Sequence, residues 1–130
     1  MKVRFDDAIE LARKVASLSD YKYRIGCVIV DRRNNLLSVG HNSVKTHPFQ
    51  ASMAKQVDLD CKISLHAEIM ALTRLDDNSI IKKAYVVRLG AAGDLRLAKP
   101  CPICFRALLQ HNVKNIIYSD SSGIIQIESF

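Results

Sequence analysis

The chain has 130 residues, 48% of them apolar and 25% charged, and 19 basic against 13 acidic side chains leave a net charge of +6. That length suits a single domain, residues 1–130, with one core and no second module. No stretch approaches the ~20 apolar residues of a membrane span, and residues 1–18 carry acids and bases where a signal peptide has an apolar run. The expected location is therefore the cytoplasm, with no membrane partner.

Taken in order, Phe5–Leu18 places Phe5, Ala8, Ile9, Ala12, Val15 and Ala16 at helical spacing, which predicts an amphipathic helix with one face on the core. Ile25–Asp31 is a short β-branched apolar run and Leu36–His41 a second one, joined by the polar turn Arg32–Asn35; the pair reads as a hairpin. Asn42–Leu65 has no clean period. Pro48 could open a short helix through about Asp58, and a connection of this length between core elements is a candidate substrate-facing lid. His66–Leu75 is apolar nearly all round, as a buried helix is, and Asp76–Ser79 ends it. Ala84–Leu89 is a third strand, followed by the two-glycine loop Gly90–Lys99. Pro102–His111 is another apolar helix, with proline suited to its first turn. Asn115–Ser119 and Ile124–Ile127 are the last strands. Only Asp120–Gly123 separate them, too few residues for a parallel crossover, so they form an antiparallel hairpin. The order predicts an α/β fold with helices on a mixed five-stranded sheet.

Four cysteines are present, Cys27, Cys61, Cys101 and Cys104. In a reducing compartment C-x-x-C points to metal binding or redox chemistry. A thioredoxin-like arrangement does not fit, because the C-x-x-C falls late in the chain. Cys27, inside an apolar run, is expected to be buried. The basic residues are scattered singly or in pairs, such as Arg32-Arg33 and Lys82-Lys83; the charge suits an anionic ligand without defining a polyanion track.

The chemistry concentrates in His66-Ala67-Glu68 and Pro100-Cys101-Pro102-Ile103-Cys104. A catalytic zinc takes three protein ligands and keeps one position open. His66, Cys101 and Cys104 supply the three, one ion per chain, and Glu68 stands beside them as a catalytic carboxylate free to carry protons. A structural zinc would need a fourth ligand, for which Cys61, His47 or His41 is available. H-x-E is not zinc-finger spacing, however, and both motifs open apolar helices.

H-x-E followed by P-C-x-x-C is the signature of zinc-dependent nucleobase deaminases, and the chain resembles the cytidine deaminase-like superfamily over most of its length. The resemblance implies a three-layer α/β/α sandwich with the two metal-bearing helices on one face. It implies hydrolytic deamination of a cytosine nucleoside or nucleotide, cytidine or deoxycytidine or their monophosphates, to the uracil form plus ammonia. Glu68 would move protons from water to the ring nitrogen and the leaving amine. Asn42, in Gly40-His41-Asn42, would bind the substrate's sugar hydroxyl and the Ala67 backbone N–H the base carbonyl; Asn42 could also simply end a strand. Family members are commonly homo-oligomers.

The resemblance is mixed in detail. His66–Leu72 is similar to the tRNA adenosine deaminases, deoxycytidylate deaminases share H-A-E, and free-cytidine deaminases usually carry Cys at the His66 position. The C-terminal hairpin is instead a feature of the free-cytidine branch. A tRNA or single-stranded polynucleotide base deaminase is thus the second hypothesis, a non-catalytic zinc-binding interaction domain the third, and a redox role for Cys101-Cys104 the fourth. Phe49 or Tyr118 could stack a base, Arg106 is a weaker candidate, His111 caps a helix, and Cys61 with His47 could hold a second zinc, as in some deoxycytidylate deaminases.

Overall fold

The computed structural model describes residues 1–43, 66–76 and 80–130. The expected lid and the helix led by Pro48 lie outside the described residues, as do His47, Phe49 and Cys61.

Helix α1 spans Phe5–Ala16, with Asp6 and Asp7 in its first turn and Arg13 and Lys14 in its last, the polarity the helix dipole favours. It stops short of Leu18 because the final turn tightens, Leu18 N–H reaching Val15 O at 3.0 Å. Strands β1 (Arg24–Val30) and β2 (Leu36–His41) pair antiparallel. The turn between them claims Asp31, whose Oδ1 accepts the N–H groups of Arg33 and Asn35 at 2.8 and 2.9 Å, so β1 ends one residue earlier than the apolar run suggests. Helix α2 covers Ala67–Thr73, β3 Lys83–Leu89, and α3 Pro102–Gln110.

Strands β5 (Asn115–Ser119) and β6 (Ile125–Ser129) form the expected hairpin, with Asn115 opposite Ser129 and Ser119 opposite Ile125. Ile124 falls in its turn because Asp120 Oδ1 takes the Ile124 N–H at 3.0 Å. The loop after β3 differs from expectation. Gly90 N–H bonds Asp94 O at 2.7 Å and Gly93 sits at φ +83°, which folds the chain back so that the two-residue strand β4, Leu95–Arg96, pairs antiparallel with β3. The sheet thus gains a sixth, short strand.

The main sheet runs β2-β1-β3-β5-β6, with β3 and β5 parallel across the α3 crossover and every other pair antiparallel. Period-two alternation sorts its side chains into two cores. Val28, Val30, Tyr85, Val87 and Ile117 face α1, packing on Ala8 and Ala12. Cys27, Ile29, Ala84, Val86 and Ile116 face α2 and α3, meeting Ile69, Leu72, Ile103 and Leu108. The result is the three-layer α/β/α sandwich. Each fully buried aliphatic side chain stabilises it by about 1.5–3 kcal/mol.

Two glycines let the layers close. A Cβ on Gly26 would lie 2.1 Å from Ala12 O of α1, and one on Gly40 would lie 2.4 Å from Ala67 O of α2. Gly40 therefore sets how closely the start of α2, where the H-x-E motif lies, can approach β2. No helix among the described residues is long and apolar enough to cross a membrane.

Candidate active site

His66 and Cys101 occupy equivalent positions. Each is the extended residue just before a helix, His66 at φ −79°, ψ 150° and Cys101 at φ −67°, ψ 168°, and neither side chain caps its own helix. Their carbonyls accept the first intrahelical bonds, from Met70 and Phe105, while the side chains are left to point at each other. Pro102, lacking an N–H, fits the first position of α3 at no cost in hydrogen bonds. Cys104, one turn into α3, is fully buried.

The three side chains converge. His66 Nδ1 lies 3.2 Å from Cys104 Sγ and 3.5 Å from Cys101 Sγ, and the three donor atoms all fall within 4.8 Å of one another. A tetrahedral zinc with imidazole at about 2.0 Å and thiolate at about 2.3 Å separates nitrogen from sulfur by about 3.5 Å. The donor set and its spacing therefore fit zinc, and the cysteines are not joined in a disulfide. His41 is not in the cluster; its Nδ1 contacts Asn42 O at 3.0 Å.

Charge is arranged around the same point. Hydrogen bonding from Cys104, with His66 adding to it, holds the Cys101 thiol down at about 4, and burial pushes the Cys104 thiol well up. Free N–H groups at a helix start favour the thiolate further. For His66, burial works against the cation, but the Cys101 hydrogen bond and the charges of Glu68 and Cys101 raise it on balance. Glu68 is 4% exposed and outside the donor cluster. Burial lifts its carboxyl to about 7, with His66 opposing.

That shift has a measurable sign. Between the ordinary 4.5 and about 7, the folded metal-free protein holds a proton on Glu68 that the unfolded chain has released. Stability relative to a neutral side chain is intact below pH 4.5 and is lost as pH rises through 7, reaching about 3 kcal/mol. Metal-free Glu68→Gln is expected to match the wild type in urea unfolding near pH 4.5 and to exceed it by that margin at pH 8. A difference independent of pH would contradict this.

The cluster opens into a cavity of about 300 Å³ lined by His66, Glu68 and Cys101 together with Asn42, Tyr21, Tyr23, Arg88 and Lys99 among others, at the lower end of the range for small-molecule sites. Asn42 is buried, and its amide is partly engaged: Oδ1 accepts from Ile25 N–H at 2.9 Å and Nδ2 donates to Tyr23 O. Ala67 is buried as the first residue of α2, where its N–H has no intrahelical acceptor. Tyr118 belongs to the core, Arg106 is exposed, and His111 Nδ1 meets Ala107 O at 2.8 Å near the end of α3, the capping role expected. Cys27 is buried.

Arg88, Lys99, Tyr21 and Tyr23 belong to no motif of the sequence and join the site only through the fold. A signal existed for Arg88: it interrupts the apolar run of β3 on the same face as Ala84 and Val86. Lys99 stands immediately before the Pro100-Cys101 motif.

A three-donor zinc site whose buried carboxyl lies beside the donors, on the metal-bearing face of an α/β/α sandwich, defines a zinc hydrolase of the deaminase class. Residues 4–120 match the family described as the cytidine and deoxycytidylate deaminase zinc-binding region, and the chain belongs to that family. It is a zinc-dependent deaminase of pyrimidine nucleosides or nucleotides. Among solved structures, cytidine deaminase from Burkholderia pseudomallei superposes with a TM-score of 0.67 at 15% identity, over 98% of this chain and 93% of that one. The dCMP deaminase of cyanophage S-TIM5 in its apo form gives 0.60 at 21%, over 92% and 85%. The same phage enzyme in complex with dCMP and dUMP gives 0.51 at 19%, over 87% and 76%. At these identities the likeness speaks to the fold. No curated protein matches the chain in sequence.

Proposed function

We propose that the chain hydrolyses the amino group of a cytosine nucleoside or nucleotide, giving the uracil form and ammonia. One observation carries this reading: a buried carboxyl, Glu68, beside but outside a His66–Cys101–Cys104 donor set, lining a cavity of small-molecule size. Bound by those donors, zinc supplies the Lewis acidity that makes water nucleophilic at neutral pH. Glu68 does the proton work. It accepts a proton as water adds to C4, delivers it to ring N3, then takes the remaining proton from the new C4 hydroxyl and gives it to the amino group, so that C4=O forms, the C4–N bond breaks and ammonia leaves. In this reading Ala67 N–H would hold the base carbonyl, and the Asn42 amide, which retains one N–H and a lone pair, would take a sugar hydroxyl.

A second reading, deamination of a base within a single-stranded polynucleotide, is favoured by Tyr23. It is 46% exposed and has Lys22 Nζ 5.0 Å and Arg88 4.5 Å from its ring, and exposed aromatics among cations stack single-stranded bases. Ammonia release by the zinc-loaded protein separates the two. Turnover of free cytosine compounds supports the first. Turnover confined to an oligonucleotide or tRNA, falling steeply with salt, supports the second.

A further inference from the structure

Among the described residues, Arg88 and Lys99 are the charged side chains lining the cavity that the deamination chemistry leaves unused, and Arg88 is the more buried of the two. It stands on β3 opposite Ile25 of β1, and like Ile25 it lines the cavity with His66, Glu68 and Cys101. Among the described residues it forms no ion pair, and its buried Nε has no hydrogen-bond partner. Buried donors in native structures are nearly always satisfied, and an unsatisfied one on a cation that lines a cavity marks that side chain as one a ligand acceptor would engage. Its guanidinium carbon lies 4.5 Å from the Tyr23 ring centroid, within cation–π range, and the forked N–H groups of arginine suit a tetrahedral oxyanion. Lys99 lines the same cavity, its Nζ 3.6 Å from Glu128 and its side chain half exposed. Against these two cations Glu68 is the cavity's one acidic lining residue among the described residues. A neutral nucleoside offers hydroxyl and carbonyl acceptors but no negative charge to set against them.

We propose that Arg88, assisted by Lys99, is a 5′-phosphate subsite, and that the preferred substrate is a 5′-phosphorylated cytosine nucleoside. This rests on the deaminase reading above and specifies its substrate. A dianionic phosphate accepts charge-assisted bonds from the Arg88 fork and from Lys99. The ring between phosphate and zinc is then set by the ribose.

The test is kcat/KM for CMP, dCMP, cytidine and a cytosine-containing oligonucleotide, in wild type, Arg88→Gln, Arg88→Lys and Lys99→Gln, with the zinc content of each measured. The wild type is expected to prefer the monophosphates. Arg88→Gln is expected to reduce that preference by about 10- to 100-fold, mainly through KM, as loss of a charge-assisted bond does. Arg88→Lys should keep more of the preference than Arg88→Gln, and Lys99→Gln should lose less. Equal use of cytidine and CMP by the wild type would overturn the subsite and leave the deaminase reading standing. No ammonia from any cytosine compound would overturn both. Preference for the oligonucleotide would assign the cations to a polymer backbone. Loss of zinc in Arg88→Gln would assign Arg88 to balancing the thiolates.

Discussion

Glu68→Gln is expected to lower turnover of the cytosine substrate by about 10²- to 10⁴-fold while leaving bound zinc at the wild-type level. Both halves follow from where Glu68 sits. Its carboxyl is outside the donor cluster, so zinc has no need of it. It is almost fully buried, and in the metal-free fold burial lifts its carboxyl to about 7, which suits the proposed role of taking a proton from water and returning it to the ring. Glutamine keeps the shape and the hydrogen-bonding capacity but cannot exchange that proton. The checking measurement pairs steady-state ammonia release with metal analysis of the same preparations. A variant with wild-type zinc and wild-type rate would remove Glu68 from the mechanism. A variant without zinc would make Glu68 a ligand.

The second large effect falls on Cys104. Replacing it with alanine is expected to take zinc from one ion per chain to near zero after dialysis, and activity to the metal-free background. Cys104 Sγ stands 3.2 Å from His66 Nδ1, and its loss leaves two donors, too few for a catalytic zinc. The penalty exceeds the roughly 10- to 100-fold in affinity that losing an outer-shell partner costs. Stability carries the same signature. A ligand that binds only the folded state raises the midpoint of unfolding, so a chelator should lower the wild-type Tm and leave that of Cys104→Ala unmoved. A chelator-sensitive Tm in the variant would show that the metal is held elsewhere.

The zinc donors were legible in the sequence because their chemistry is local. His66, Cys101 and Cys104 each lie at or near the start of a helix whose apolar periodicity is plain, and Pro102 marks the start of α3. The β5–β6 hairpin was legible for a similar reason, since four turn residues allow only one pairing. The errors at strand ends came from side chains that compete with the sheet for backbone donors: Asp31 in the first hairpin, Asp120 in the last. Strand β4 is not legible in the sequence, because two glycines mask a tight reversal whose closing bond joins Gly90 to Asp94. Tyr23, Arg88 and Lys99 are not legible in the sequence because they come from three separate stretches of chain that meet only when β1 and β3 align, and no spacing rule connects them. Asn42 illustrates the limit further: the residue was found at the site, but its bonds to Ile25 and Tyr23 depend on the tertiary fold.

The central claim is that this site adds water to C4 of a cytosine ring. It is tested most directly by incubating the zinc-loaded protein with CMP in water enriched in heavy oxygen and weighing the product. The account predicts a uracil nucleotide carrying one labelled oxygen on the base, formed in step with one ammonia. Unchanged CMP in the presence of fully zinc-loaded protein, or ammonia released without label in the ring, would contradict it.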